Sequence, residues 1–348
     1  YFINKNGQLI LRNKTTTINE NLFIPENFLV TIKPGEKIIL SDNAFIFSKS
    51  PWKVGEKIGR VEIRGKESNF GGGLFISNSS KKSLFINTDF SYLSGLEEQR
   101  FFDFNYKLFE VKTIYRGNKL NDYFYKINNS KKTDYGFLDG RILYGSLNFF
   151  NTSADLINCN FSKIDSEDGV NFITSGYLIK NAKFEELSGD AIDIDFGSGE
   201  ISNSSFKNVG NDGVDLSGTE SFLYNLEFEN ILDKIISVGE DSNVKIRNLK
   251  GSKSFLGVAS KDGSKTYLNE VEFDRVNIPF ASYIKKKSYK AAHLNIKNIN
   301  KLDVFEILGL KDENSEILIN GNSKGNIEKD ILKVIYKRLP IEKNDRRI

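Results

Sequence analysis

Residues 188–199 read SGDAIDIDFGSG, and the alternation inside them decides the fold. Ile192, Ile194 and Phe196 alternate with Asp193 and Asp195, and Asp190 stands just ahead of them. A period of two is the mark of a strand with one buried and one solvated face. Asp is depleted in strands, so an alternating Asp series is charge placed on the outer face. The pattern predicts Ile192, Ile194 and Phe196 pointing inward and Asp193 and Asp195 pointing out.

The stretch is one copy of a repeat. Asn158 and Phe161 lead to Asp168–Phe172; Asn181 and Phe184 lead to Asp190–Ile194. Asn203 and Phe206 lead to Asp212–Leu216, and Asn225 and Phe228 lead to Lys234–Val238. Looser copies run from Asn248 to Gly257–Lys261 and from Phe273 to Pro279–Tyr283. The period is about 22 residues, with short alternating segments between Gly, Asn, Ser and Asp and no amphipathic helix. Leucine-rich repeats need Leu-x-x-Leu-x-Leu spacing, which is absent. The expected fold is all-β, a parallel β-helix (solenoid) in which each repeat is one coil.

The flanks complete this organisation. Residues 21–38 alternate strand and turn signals and read as early coils. Residues 91–139 break the register and are dense in aromatics, among them Phe101, Phe104, Tyr106, Tyr123 and Tyr125, as an insertion on one flank would be. Regular coils are expected over about 140–290. Asn326, followed by Ile327, Ile331, Leu332 and Ile335 and then by Pro340, carries helix start, face and stop signals. The expected division is one β-helix domain over 1–325 and a short C-terminal helical cap and tail over 326–348. The Gly71–Gly73 run lacks the Lys and Ser/Thr of a phosphate loop and reads as a tight corner.

Composition narrows the function. The 348 residues are 39% hydrophobic and 27% charged, with a net charge of +3. That balance does not point to nucleic acid. No apolar run approaches the ~18 residues of a membrane span. The chain has no Met and begins at Tyr1, which reads as a processed or truncated product whose targeting segment is gone. Cys159 is the only cysteine and His293 the only histidine, which excludes internal disulfides, Cys or His metal clusters and a Ser-His-Asp triad as a leading idea. His293 reads as structural.

These residues resemble the right-handed parallel β-helix repeat proteins, the superfamily of pectate lyases and polygalacturonases. More narrowly, the chain is similar to β-helix segments beside CotH-type kinase modules in bacterial surface proteins. The stretches that carry the likeness include NLFIPENFLVTIKPGEKI, GDAIDIDFGSGEISNSSF, GNDGVDLSG, DKIISVGEDS, GVASKDGS and FASYIKKKSY, spanning roughly 20–90 and 140–290. The resemblance implies right-handed coils, a secreted or cell-surface location and a polysaccharide-related role. The polygalacturonase pattern of Asp pairs followed by Gly-His-Gly and Arg-x-Lys is matched here only in its Asp pairs.

Stacking places equivalent residues about 4.8 Å apart. An outer column is expected to run Asn171, Asp193, Asp215, Ser237, Ser260, Ser282, and a turn column Asp168, Asp190, Asp212, Lys234. Asp190, Asp193, Asp212 and Asp215 then form one carboxylate patch. Each like pair at about 5 Å costs roughly 3 kcal/mol at an effective dielectric of 20. Three arrangements offset that cost: a bridging Ca²⁺, a proton held on a carboxyl of raised pKa, or solvation by backbone N–H groups and Lys234. The third makes a plain turn ladder. The second suits acid–base chemistry on a glycosidic bond, as a hydrolase or lyase, with Lys234 or Lys261 as partner. Tyr283, Lys285, Lys286 and Lys287 read either as a grip on an acidic polysaccharide or as a solvated basic turn. An enzyme and a non-catalytic structural or adhesive module, with Asp ladders that steady turns or hold calcium, both remain open at this stage.

Overall fold

The computed structural model describes residues 1–95, 110–111, 125–126, 145–304 and 307–336. Apart from Tyr92 and Tyr125, the aromatics expected in an insertion lie outside the described residues. The chain is all-β, as the repeat predicts, with a single short helix among the described residues, Ile331–Tyr336. It divides into two compact units, residues 1–155 with 159–173, and residues 156–158 with 174–348.

In the first unit, parallel strands stack coil on coil. Leu29–Ile32 pairs with Gln8–Leu11 on one side and Trp52–Val54 on the other. Phe45–Ser48, Gly73–Ser77, Gly145–Phe150 and Asp168–Ile173 form a second parallel series. An antiparallel hairpin of Phe2–Lys5 with Gln8–Leu11 begins the chain. Gly73 takes φ +112°, and a Cβ there would lie 2.1 Å from the Ser146 carbonyl oxygen, so the glycine run is the tight corner the sequence suggests.

The second unit shows why Asn and Phe recur three residues apart. Asn181, Asn203, Asn225 and Asn248 each sit at a corner with φ between 50° and 55°, a left-handed conformation that Asn tolerates better than other L-residues. Their amides then bond along the stack. Asn225 Nδ2 donates to Asn203 Oδ1, and Asn248 Nδ2 to Asn225 Oδ1, each at 2.9 Å. Asn181 donates likewise to Asn158. An amide carries both donor and acceptor, so like can stack on like without a penalty. Inside the coil, Phe184, Phe206 and Phe228 stack face to face at 4.8 and 4.4 Å. A second core column runs Ile192, Val214, Ile236, Val258, Phe280.

The register departs from the expected one at a single step. Ser237 stacks on Ala259 and Ala281, not on Ser260 and Ser282. Val258 and Phe280 fill the core column, which fixes the next outward position at the alanines. Ser260 and Ser282 face inward, fully buried, with hydroxyls donating to the carbonyls of His293 and Ala292. Phe196 also differs. It occupies a corner with φ 54° and is 57% exposed, its ring lying over Gly218. The strand ends at Asp195, so the alternation that would have carried Phe196 inward stops one residue short.

The Phe stack offers a test of the core. Phe206→Ala should lower unfolding free energy by ~3–5 kcal/mol, the usual loss for a buried Phe, read from urea denaturation. A loss below ~1 kcal/mol would show that the stack does not hold the coils.

Candidate functional site

The outer face of one sheet in the second unit carries three columns of side chains. The first is Asp190, Asp212, Lys234, Leu256, Ile278. The second is Asp193, Asp215, Ser237, Ala259, Ala281, Leu310. The third is Asp195, Ser217, Gly239, Lys261, Tyr283. Each column begins acidic, and a lysine enters the first and third before all three become apolar or aromatic. Asp168 and Asn171 belong to the first unit, where Asn171 Nδ2 donates to Asp168 Oδ2 at 2.7 Å.

The turn column is laced by its own carboxylates. Asp190 Oδ1 accepts the Asp212 N–H at 2.7 Å, and Asp212 Oδ1 accepts the Lys234 N–H at 2.9 Å. Lys234 follows because a third carboxylate would have no countercharge. Its ammonium lies 2.7 Å from Asp233 Oδ2 and 3.3 Å from Asp212 Oδ1. The Lys234 side chain is only 3% exposed, so this is an ion pair taken out of water.

Lys261 completes the network from two coils away. Its chain lies along the sheet past Gly239, and its ammonium reaches Asp215 Oδ1 at 3.6 Å. A Cβ at Gly239 would lie 3.3 Å from Lys261 Cε, so any side chain there would crowd this path. Asp215 remains 25% exposed and is the partly open carboxylate of the network. Asp193 lies beside it, in register on the preceding coil.

The charges bias one another. Burial pushes Asp212 up to about 6; Lys234 pulls it back, while Asp233 and Asp215 add to the rise. Burial also acts to raise Asp215, but the Lys261 and Lys234 ammonium groups outweigh it and hold the carboxyl below its usual value. Burial acts to lower Lys234, yet Asp212 and Asp233 hold it well above the ordinary lysine value. Lys261 is raised in the same way, chiefly by Asp215. Both lysines are therefore fixed as cations and neither can take a proton near neutrality.

The C-terminal helix closes the apolar end of the face. Ile331 and Ile335 pack against Leu256, Ala259, Ile278, Ala281, Tyr283 and Leu310. The Tyr336 ring stands 5.1 Å from the Lys234 ammonium and 4.9 Å from that of Lys285. Tyr283 is fully buried, its hydroxyl 2.7 Å from that of Tyr336. Lys286 pairs with Glu240, and the backbone N–H groups of Lys285 and Lys286 both donate to Asp262 Oδ1. Lys287 is exposed. The structure thus brings Asp190, Asp193, Asp212, Asp215, Lys234 and Lys261 onto one face, and ties Lys285 and Lys286 into the turn beside it. Asp233, Gly239 and Tyr336 escaped the sequence reading. Asp233 precedes Lys234 and was visible as a charge; the other two act only through the register and the docked helix.

Carboxylate oxygens of Asp190, Asp212 and Asp215 lie within 4.8 Å of one another. Calcium takes six to eight oxygen ligands. Here all three carboxylates already accept a backbone N–H group, and two buried ammonium groups supply the countercharge. This donor set does not fit a calcium ion, and no step is routed through one.

Residues 146–273 match the family model described as the right handed beta helix region. No curated protein matches the sequence. Among solved structures, a point mutant of the periplasmic alginate epimerase AlgG is similar with a TM-score of 0.51 and 10% identity, covering 90% of this chain and 78% of that one. The unmutated epimerase gives 0.49 at 10% identity with the same coverage. The PL6 family alginate lyase AlyGC gives 0.34 at 12% identity, covering 92% of this chain and 50% of that one. The family match and the likeness at 0.51 show the fold, a right-handed parallel β-helix. No helix among the described residues is long and apolar enough to cross a membrane.

The raised Asp212 makes a pH prediction. A carboxyl raised from 3.8 to about 6 on folding stabilises fully below pH ~3.8, and that contribution is lost as pH rises through about 6. Asp212→Asn keeps the acceptor for the Lys234 N–H and removes the titration. Its melting temperature should therefore fall less than that of the wild type between about pH 4 and 6.5, by calorimetry. Parallel curves would contradict the assignment.

Proposed function

We propose that this right-handed β-helix protein acts on a polysaccharide outside the cytoplasm, and that the face bearing Asp193, Asp195, Asp215 and Lys261 is where the polymer lies. The observation that carries this reading is the fate of the columns. The positions that hold Asp212 and Lys234 hold Leu256 and Ile278 further along, and the column of Asp215 continues as Ala259 and Ala281. The fold accepts apolar residues there. Buried ion pairs are commonly no better for stability than well-packed hydrophobic replacements. Charge kept at the early coils, where stability does not require it, supports a role in recognition or chemistry.

The chemistry the face supports is attack on a glycosidic bond. Lys261 holds Asp215 ionised, and Asp193 offers a second outward carboxyl one coil away, about 4.8 Å by strand spacing. That separation suits a retaining hydrolysis, with one carboxylate as nucleophile and the other as acid and then base. Lys234 and Lys261, fixed as cations, favour binding an anionic group over abstracting a proton. This argues against a lysine-initiated elimination. The extracellular setting draws support from the periplasmic enzyme of similar fold, whose own substrate is alginate. One observation favours a non-catalytic adhesive module instead: Asp190 and Asp212 spend an oxygen each on the backbone of the next coil.

A reducing-end assay across a panel of neutral and acidic glycans, alginate included, separates the two. Wild type should release ends from at least one polymer; Asp193→Asn should lower that rate at least ~100-fold with an unchanged melting temperature, and Asp215→Asn should lower it as much but with a lower melting temperature, because Lys261 is left buried without its carboxylate. Binding without any turnover by the wild type would leave the adhesive reading in its place.

A further inference from the structure

A different face of the same unit carries a groove that the charged columns do not use. It lies on the outer side of the strand segments Lys265–Asn269, His293–Lys297 and Glu316–Ile319, with a volume of about 270 Å³. Two columns wall it. One is Lys265, His293, Glu316; the other is Tyr267, Asn295, Leu318. Toward the chain's N-terminus the second column continues as Lys245 and Phe222. His293, the only histidine of the chain, is therefore neither buried nor remote from a concave surface. Its Nδ1 lies 3.4 Å from Glu316 Oε2.

Two features set this face apart from an ordinary solvated sheet. The first is aromatic exposure: Phe222 is 41% and Tyr267 45% exposed, and Tyr224 lies 5.2 Å from Phe222. The two exposed rings stand two coils apart, about 9.6 Å along the stack. Rings left partly in water present flat apolar faces that a ligand can cover. The second is unpaired positive charge. Lys245 stands between the two rings, and Lys265 beside Tyr267 on the same strand, and neither makes an ion pair among the described residues. Lys250 and Arg247 on neighbouring positions are neutralised by Glu272 and Glu270.

We infer that this face is a second polysaccharide contact, built for an acidic polymer. The rings of Phe222 and Tyr267 take the C–H faces of two sugar rings, and Lys245 and Lys265 meet their carboxylates. His293, Asn295 and Glu316 supply donors and acceptors for hydroxyls in the groove. The positive stretch of Lys245 and Lys265, bounded in the same columns by Glu200, Glu220 and Glu316, favours a uronate-bearing chain over a neutral one. The inference rests on the polysaccharide reading of the protein, but not on its hydrolytic chemistry.

Affinity electrophoresis and calorimetry with sodium alginate, and with dextran as the neutral polymer, test it on the full chain. Phe222→Ala with Tyr267→Ala should weaken alginate binding at least tenfold with an unchanged melting temperature. Lys245→Gln with Lys265→Gln should weaken it and flatten its dependence on salt, as the loss of exposed charge pairing does. Lys250→Gln, at a neighbouring position already paired with Glu272, should leave this binding intact. Wild-type affinity in the aromatic variant would overturn the inference, even if hydrolysis at the Asp face is found. Equal binding of dextran would overturn the acidic specificity. No binding of alginate by the wild type would sink the second contact outright. Binding through this face with no turnover would uphold it and remove only the hydrolase.

Discussion

Every outward or inward side chain in a parallel coil stands about 4.8 Å above its counterpart in the next. That spacing is the constraint from which the remaining features follow, because a residue must be compatible with the residue stacked on it. Phe and Asn meet the condition alone: a ring stacks on a ring, and an amide donates on one side and accepts on the other. Both recur at fixed positions in the repeat for that reason. Asp does not meet the condition. A stacked carboxylate has no donor, and its neighbour repels it.

The repeat was legible because of those self-compatible columns. Asn at a left-handed corner and Phe three residues on mark each coil so regularly that the strand face of Asp193 and Asp195 could be set from sequence. The placement of Asp190 before Asp212 and Lys234 followed from the same period. What escaped was the step where chemistry and register disagree. Ser237, Ser260 and Ser282 look alike and tempt an alignment, but Val258 and Phe280 must fill the core, and their volume decides the register. Phe196 misled for a related reason: its alternation is right, but the strand has already turned. No local pattern tells that Gly239 matters, since its role is to leave space for a lysine from the next coil.

The charged columns show how the fold copes with a residue that cannot stack on itself. Asp190 and Asp212 use one oxygen each on the next backbone N–H, and the ladder then ends in a lysine rather than a third acid. Lys234 answers two carboxylates, and Lys261 answers Asp215 from two coils away. The network is not symmetric. It holds Asp215 charged and leaves Asp212 titrating near pH 6. Groups of one chemical type are thereby pushed toward different protonation states by burial and by which ammonium they face.

The C-terminal helix adds the last step. Once the columns turn apolar, the outer face at Leu256, Ile278 and Ala281 could not remain in water, and Ile331 and Ile335 cover it. Among the described residues the cover runs as far as Tyr336, whose ring faces two lysine ammonium groups and whose hydroxyl meets Tyr283. An aromatic ring is a suitable boundary there, because its edge and face serve the apolar side and the cationic side at once. Helix docking therefore does more than bury surface. It removes water from Lys234, strengthens its hold on Asp212 and Asp233, and leaves Asp193, Asp195 and Asp215 as the part of the face still open. A segment that sequence periodicity assigns only a local role thus sets both the extent and the electrostatics of the charged face.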